Sequence, residues 1–280
     1  PSLGAQNNLS KSASSLETSI ARLSSGLRVN SAKDDAAGLA IAERMTAQIR
    51  GFDVAARNAN DGISLLQVAD GALGKIGDNL QRMRELGVQA KNGTLNDTDR
   101  ANLNREYTEL ANEVGRVATG TTFNGNNVFE AANKTVDLQI GSGNVASDTL
   151  SVNLTDTGTA AGNDLQTTLG GATQAAIVTA FGGVDTVANA TTAITEIDTA
   201  INDITNLRAT TGASLSRLDQ VVSSLETTSA NLSSARGRIM DADFAKETAN
   251  LTRAQILQQA GTAMLAQANQ LPNNVLSLLR

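Results

Sequence analysis

The side chains in this sequence that could perform chemistry are carboxylates, because the chain contains no His and no Cys. The commonest general base, the thiolate nucleophile and the usual zinc ligands are therefore missing. Two acidic pairs, Asp34-Asp35 and Asp241/Asp243, have the residue types for acid–base work or for binding a hard cation. Both pairs stand beside breaks in helical patterns, which favours helix capping. We predict no catalytic residue, cofactor or metal site.

Phosphate, nucleic acid and membrane are also disfavoured as partners. The glycine-rich stretches contain no G-x-x-x-x-G-K-[ST] loop and no clear strand–G-x-G-x-x-G–helix unit. The net charge is −6 and the isoelectric point about 4.8, without a basic stripe to neutralise phosphates. No apolar run approaches the roughly 20 residues that span a bilayer. The chain also starts without the segments of a secretory signal, so we expect any export to use another route.

The elements that position these side chains are predicted to be long helices. Between Pro1 and Pro272 there is no other proline to break a helix. Aromatic residues make up only 2% of the chain, and the remaining apolar residues suit the narrow contact between paired helices. A first helix is followed by a break. A second begins near Ser31, which with Asp34 resembles a capping box, and continues to near Lys91.

Two further helices are expected to pack beside the long one. Asn96 has the residue type and position of a helix cap, and the shorter helix that follows should run antiparallel to the long helix. Helical spacing returns at Ile194 and continues beside the long helix to about residue 240. Between these helices, Asn124-Gly125 is a hairpin-turn signal. Period-two alternation around a turn at 141–144 predicts a second pair of strands, with apolar positions Val136, Leu138, Ile140, Leu150, Val152 and Leu154.

Both ends of the chain carry narrow apolar stripes at heptad spacing. Such stripes are marginal in water without a partner, so we expect the ends to pair with one another or with neighbouring subunits. Subunits joined in this way build an open helical array when their contacts do not close into a ring. The terminal seam that we predict for self-assembly comprises Leu9, Leu16, Ile20, Leu23 and Leu27 near one end, and Leu257, Met264, Leu271, Val275 and Leu278 near the other.

Several segments resemble bacterial flagellin. They are residues 23–38 (LSSGLRVNSAKDDAAG), 58–64 (NANDGIS), 81–89 (QRMRELGVQ), 122–125 (TFNG) and 270–280 (QLPNNVLSLLR). The resemblance spans residues 1–140 and 194–280, whereas residues 141–193 fit the family's variable, outward-facing part only in position. Family members usually begin with a short segment ending in a motif like Ile-Asn-Thr-Asn, so we expect that segment to precede Pro1.

The resemblance implies a structural subunit that polymerises into the extracellular flagellar filament used for swimming motility. It implies unfolded export through the flagellar type III apparatus, an export chaperone on the C-terminal segment, and contacts with cap and hook-associated proteins. The implied fold is mainly α, a long antiparallel helical bundle or coiled coil formed by the N- and C-terminal segments, with a small β-hairpin region and a short variable outer segment. The implied division is 1–30, an N-terminal inner-tube helix; 31–140, the N-terminal part of the central bundle with the β-region; 141–193, a variable surface-exposed region; 194–240, the C-terminal helix of the central bundle; and 241–280, a C-terminal inner-tube helix.

Carried over by the match of residues 81–89, Arg82 and Leu86 resemble a flagellin surface that engages the vertebrate receptor TLR5, and the alignment of the shorter helix adds Glu106. We call Arg82, Leu86 and Glu106 the receptor face. In a filament it is expected to meet a neighbouring subunit instead. From the residues alone, the charges at Arg82, Arg84 and Glu85 fit either a partner contact or a solvated helix face with intrahelical ion pairs.

Two alternatives remain open at this stage. A hook–filament junction protein resembles flagellin at its ends but forms only a short adaptor. A flagellin-like surface adhesin or surface enzyme would place its activity in residues 141–193, although a zinc protease motif cannot exist there without His. Carbohydrate attachment or binding on that segment is also compatible with its Ser and Thr content.

Overall fold

The computed structural model describes residues 2–129, 135–154 and 178–278, with side chains of residues 2, 3, 5 and 268–278 left undescribed. Its contacts divide the chain into a terminal unit, Pro1–Arg50 with Thr228–Arg280, and a central unit, Gly51–Thr227. The fold is mainly α, as predicted. The elements in order are α1 (Ser2–Ser25), α2 (Ala36–Ala90), α3 (Asp97–Gly120), β1 (Thr122–Phe123), β2 (Asn126–Asn127), β3 (Thr135–Gln139), β4 (Thr149–Asn153), α4 (Val187–Met240) and α5 (Phe244–Leu278).

The core of the central unit lies between α2, α3 and α4. Ion pairs link Arg82 of α2 to Glu106 of α3 and Arg84 of α2 to Asp198 of α4, and the predicted packing beside the long helix is confirmed. Apolar residues three and four apart face inward because that spacing keeps one side of a helix together. Buried members include Leu66, Leu73, Ile76, Leu80 and Met83 on α2, Tyr107, Ala111 and Val114 on α3, and Ile197, Ile204, Leu207 and Leu218 on α4.

Two helix starts illustrate side-chain capping. The Asn96 side chain accepts a hydrogen bond of 2.8 Å from the Asp99 backbone N–H, which confirms the predicted cap of α3. The expected start of α2 near Ser31 is wrong, because Asp34 accepts bonds from the Ser31 N–H and hydroxyl and closes a turn before the helix. These bonds hold the pKa of Asp34 below its usual range. Asp35 then accepts from the Gly38 N–H at 2.8 Å, and α2 begins at Ala36.

Both predicted hairpins are present. Asn124 and Gly125 have φ angles of 50° and 79°, which fit the tight turn joining β1 to its antiparallel partner β2. The second hairpin pairs Val136 with Val152 and Leu138 with Leu150. Leu150 and Val152 point to the same side of β4 and are buried in the core of the central unit.

Part of the segment 141–193 is core rather than variable surface. Leu150, Val152 and Leu154 are buried, as are Phe181, Val184 and Ala190, so the expectation of exposure is wrong for these residues. The Tyr107 hydroxyl donates a 2.8 Å hydrogen bond to the Phe181 carbonyl, and burial raises the Tyr107 pKa. Helix α4 also begins at Val187, earlier than expected, because small alanines rather than large residues face inward in its first turns. Residues 155–177 lie outside the described residues.

Candidate functional site

In the terminal unit, α1 packs antiparallel against α5. Leu9 near the start of α1 lies over Gly261, where a Cβ atom would be 3.2 Å from Leu9 Cδ1. Ser19 near the end of α1 contacts Glu247 near the start of α5. Leu9, Leu16 and Leu23 are half-buried. The α5 side of the contact includes the small residues Ala254 and Gly261, which leave room for these leucines.

A polar cluster lies within this pair of helices. The Ser19 hydroxyl donates to Glu247 Oε2 at 3.2 Å, and the Arg22 guanidinium donates to Glu247 Oε1 at 3.3 Å. Ser19 and Glu247 are only 6% and 7% exposed, and Arg22 Nε is buried without a hydrogen-bond partner among the described residues. The sequence does not predict this cluster, because polar residues at these positions have the pattern of solvent-facing ones. The available signal is that Ser12 and Ser19 share the heptad spacing of the apolar stripe.

The chain segments beside this pair are joined by backbone hydrogen bonds. The Arg28 N–H donates to the Met240 carbonyl at 2.6 Å, and the Ala242 N–H donates to the Gly26 carbonyl at 2.9 Å. Gly26 has a φ of 70°, which glycine adopts readily, and it ends α1. Asp243 caps α5 by accepting from the backbone N–H groups of the next turn, at 3.0 and 3.2 Å.

These bonds give the acidic pairs of the sequence a structural role. Asp34, Asp35 and Asp243 cap turns or helices, as predicted, and Asp241 belongs to a β-bridge with Leu27. Among the described residues, no group of three or more acidic side chains is placed to hold a metal ion. Within the same residues, the helices are too short or too polar to cross a membrane.

The residues of the predicted terminal seam are not all buried together within the subunit. Its N-terminal leucines face α5, but Ile20 is 51% exposed. Leu257 and Met264 are 52% and 64% exposed, and each follows one of the small residues Ala254 and Gly261 by three positions, so they lie at the exposed edge of the same face of α5. The side chains of Leu271, Val275 and Leu278 lie outside the described residues. Helix α5 therefore has an apolar face, part of which packs against α1 and part of which, the stripe of Leu257 and Met264, is exposed.

A groove of about 1090 Å³ runs between the same two helices. Its α1 wall is polar and includes Asn8, Lys11 and Ser15, whereas its α5 wall includes Leu257 and Met264. These wall residues recur three, four or seven positions apart, so each wall is a continuous stripe along its helix.

The receptor face lies in the central unit, on α2 and α3. The Arg82 guanidinium donates to Glu106 and to Glu85, each at 2.8 Å. Arg82 and Glu106 side chains are about half exposed, at 51% and 48%. The sequence pattern left open a partner contact or an intrahelical ion pair, and the intrahelical pair with Glu85 is present, together with an interhelical pair.

Leu86 does not share that exposure. It is 1% exposed and belongs to the same core as Ile76, Leu80 and Met83, so it does not lie on the exposed part of the receptor face. The physical reason is the helical repeat, because residues three apart share a face and Leu86 follows Met83 by three.

Comparison with known proteins identifies the family of the whole chain. Residues 1–134 match the family model of the bacterial flagellin N-terminal helical region, and residues 194–279 match that of the C-terminal helical region. The chain is 42% identical to a flagellin from Halalkalibacterium halodurans over 100% of this chain and 97% of the relative. It is 40% identical to a flagellin from Bacillus subtilis, over 99% of this chain and 97% of that protein.

A solved structure is also similar. The crystal structure of Bacillus cereus flagellin superposes with a TM-score of 0.49 and 36% sequence identity, covering 60% of this chain and 88% of that one. The two family models and the full-length relatives show that the chain belongs to the bacterial flagellin family, a family of structural proteins that polymerise into the extracellular flagellar filament.

Proposed function

We propose that the exposed stripe of α5, Leu257 and Met264, and the groove that it lines are the surfaces through which one subunit holds the next in the filament. The observation that carries this proposal is the exposure of Leu257 and Met264, at 52% and 64%, on a helix that already packs its small residues Ala254 and Gly261 against α1. Ile20 of α1, 51% exposed, adds a third apolar side chain. The predicted terminal seam is thus assigned to contacts between subunits at these positions.

The driving force is apolar burial. Covering one large apolar side chain contributes about 1.5–3 kcal/mol, so a few such residues on each subunit favour association strongly. The groove supplies a polar wall with Lys11 and a wall with apolar residues, which suits an amphipathic helix from another copy. A head-to-tail contact of this kind propagates as an open array when it does not close into a ring.

The test is the double substitution Leu257→Ser with Met264→Ser. We expect monomers with the helix content of the parent and a large loss of seeded polymerisation, measured by circular dichroism and sedimentation. The matched control is Gln255→Ser with Gln259→Ser, which changes two exposed polar residues of the same helix and is expected to polymerise normally. Parent-like polymerisation of the first variant would reject the proposal.

The same stripe is proposed to bind the export chaperone before assembly. An exposed apolar stripe on a subunit awaiting export is an aggregation hazard, and a chaperone that covers it would remove that hazard. The filament end exposes the same stripes, so the cap and hook-associated proteins are proposed to contact them too. We expect the Leu257→Ser, Met264→Ser chain to bind purified chaperone at least tenfold more weakly in titration calorimetry, and unchanged affinity would contradict this part.

A second candidate function concerns the free subunit. We propose that the Arg82–Glu106 pair is the exposed part of the receptor face that contacts TLR5, and that in the filament it meets a neighbouring subunit. What supports this is the exposure of both side chains together with their mutual 2.8 Å hydrogen bond, which fixes the guanidinium. Leu86 would act from beneath by holding α2 in place, since it is buried.

The test compares Arg82→Ala with Arg84→Ala. Arg84 lies on the same helix and is similarly exposed, but it pairs with Asp198 on α4, so it controls for loss of an ion-paired charge. We expect Arg82→Ala monomers to lose most receptor activation in a cell reporter assay, with Arg84→Ala nearly unaffected. Equal activation by both variants would contradict the receptor proposal without touching the assembly proposal.

A further inference from the structure

The apolar contact between α1 and α5 repeats along both helices. On α1 the half-buried Leu9, Leu16 and Leu23 are seven residues apart, and on α5 Ala254 and Gly261 are also seven apart. Because Leu9 lies over Gly261 in an antiparallel pair, two helical turns along place Leu16 near Ala254. The apolar residues alone therefore accept more than one alignment.

A slip of one heptad illustrates the ambiguity. Moving α1 by seven residues would place Leu16 over Gly261 and Leu23 over Ala254, again a leucine opposite a small residue. Both alignments bury similar apolar area, so burial distinguishes them weakly. A unique alignment needs an interaction that occurs only once along the pair.

The cluster of Ser19, Arg22 and Glu247 is such an interaction. The Glu247 carboxylate is buried and receives hydrogen bonds from both partners, at 3.2 and 3.3 Å. A one-heptad slip would move both donors away and leave a buried carboxylate without them, which is costly. A buried polar pair typically adds little net stability but selects one alignment over others, as single polar residues do in coiled coils.

We propose that the Ser19–Arg22–Glu247 cluster fixes the alignment of α1 on α5 and excludes the one-heptad slip. This goes beyond the proposed assembly contacts, since it concerns the pairing of helices within one chain. The consequence for assembly is that the cluster sets which residues of the two groove walls face each other. The backbone bonds near Gly26 and Met240 are the competing determinant, because they join the same two chain segments.

The absence of cysteine from the sequence makes the alignment directly measurable. With Cys at positions 9 and 261, the two Cβ atoms would be 3.9 Å apart, a separation that disulfides adopt. Leu9→Cys with Gly261→Cys therefore reports the observed alignment. Leu16→Cys with Gly261→Cys reports the slipped one, and each reporter removes one leucine from the contact. Filaments of each chain are oxidised, dissolved in denaturant with free thiols blocked, and separated on a non-reducing gel.

With Glu247 intact, we expect the first reporter to form an intrachain disulfide and the second to remain reduced. In the Glu247→Ala background the slipped disulfide should increase at least fivefold while the first decreases. Arg22→Glu with Glu247→Arg, which restores an opposite-charge pair, should return both reporters towards the original pattern. Glu17→Ala removes an exposed carboxylate from α1 and should change neither. If Glu247→Ala filaments do not form, Glu247→Gln is measured instead, with the same direction of change.

Three outcomes would overturn the proposal. An unchanged first disulfide and no slipped disulfide in the Glu247 variants would mean that the backbone bonds alone set the alignment. Disulfide-linked dimers in place of intrachain bonds would mean that α1 pairs with α5 of another subunit. Failure of both reporters in filaments with Glu247 intact would mean that the two helices do not pair there.

Discussion

The terminal and central units are held together by different kinds of contact. The central unit packs large apolar side chains at zero exposure, among them Leu73, Ile76 and Leu80. The α1–α5 pair instead centres on Ser19 and Glu247 and otherwise packs half-buried leucines against small residues. The first arrangement stabilises a fold by itself, whereas the second is marginal until further apolar surface is covered. With the assembly contacts proposed above, a subunit built this way keeps a folded part and uses its ends for assembly.

The largest expected effect contrasts equivalent truncations in the two units. Leu80→Ala removes a fully buried side chain of the central unit and should lower its free energy of unfolding by about 2–5 kcal/mol. Leu9→Ala affects only a half-buried contact and should change monomer stability by less than about 1 kcal/mol. Urea unfolding of monomers, followed by circular dichroism, measures both. Similar losses for the two variants would contradict the contrast.

A second prediction contrasts two glycines of α2 within the central unit. A Cβ at Gly51 would lie 2.6 Å from Ser142 Cβ, whereas one at Gly71 would meet nothing within 4 Å. Gly51→Ala should therefore displace the loop after β3 and destabilise the monomer by about 1–3 kcal/mol. Gly71→Ala should stabilise it by about 0.4–1 kcal/mol, since alanine suits a helix better. Thermal unfolding of both monomers tests the signs, and shifts in the same direction would show that the hairpin is not seated on Gly51.

The smallest expected effect concerns Glu196 on α4. Burial raises its pKa, which means that folding favours the neutral form. The neutral Glu196 side chain therefore contributes to folding stability at pH values below its pKa in the unfolded chain. That contribution is lost as the pH rises through its pKa in the folded chain. Glu196→Gln should thus stabilise the central unit at pH 7, by up to about 0.5 kcal/mol, with no gain below about pH 4.

The measurement is the unfolding midpoint across that pH range. The exposed Glu109→Gln on α3 serves as the control for removing a negative charge. A gain from Glu196→Gln that is as large at pH 3 as at pH 7 would contradict the burial explanation.

The sequence predicted the helices and strands better than it predicted which side of each helix is buried. Heptad and period-two spacing identified the helices and both hairpins, and Asn96 was recognisable as a cap because its side-chain chemistry acts locally. Spacing also identified Leu257 and Met264 as one stripe of α5. It could not show that the residues of α5 packed against α1 include Ala254 and Gly261, because their small size gives no hydrophobic signal.

A second reason why the burial of some residues was not predicted is that their surroundings are formed by distant parts of the chain. Phe181 and Val184 lie in a non-helical stretch and are buried against α3. No periodic spacing of apolar residues marks them in the sequence. Glu247 is buried with hydrogen bonds from Ser19 and Arg22, which lie more than two hundred residues earlier in the sequence. Long-range complementarity of this kind is not encoded in a local pattern.

Deletion of residues 241–280 tests the division of roles between the two units most directly. The truncated chain retains every residue of the central unit and loses the whole of α5. We predict cooperative thermal unfolding of the remaining helices by circular dichroism, and no sedimenting filaments when the protein is seeded at concentrations at which the full chain polymerises. Filaments of normal length from the truncated chain, or a chain that is unfolded before heating, would contradict the account.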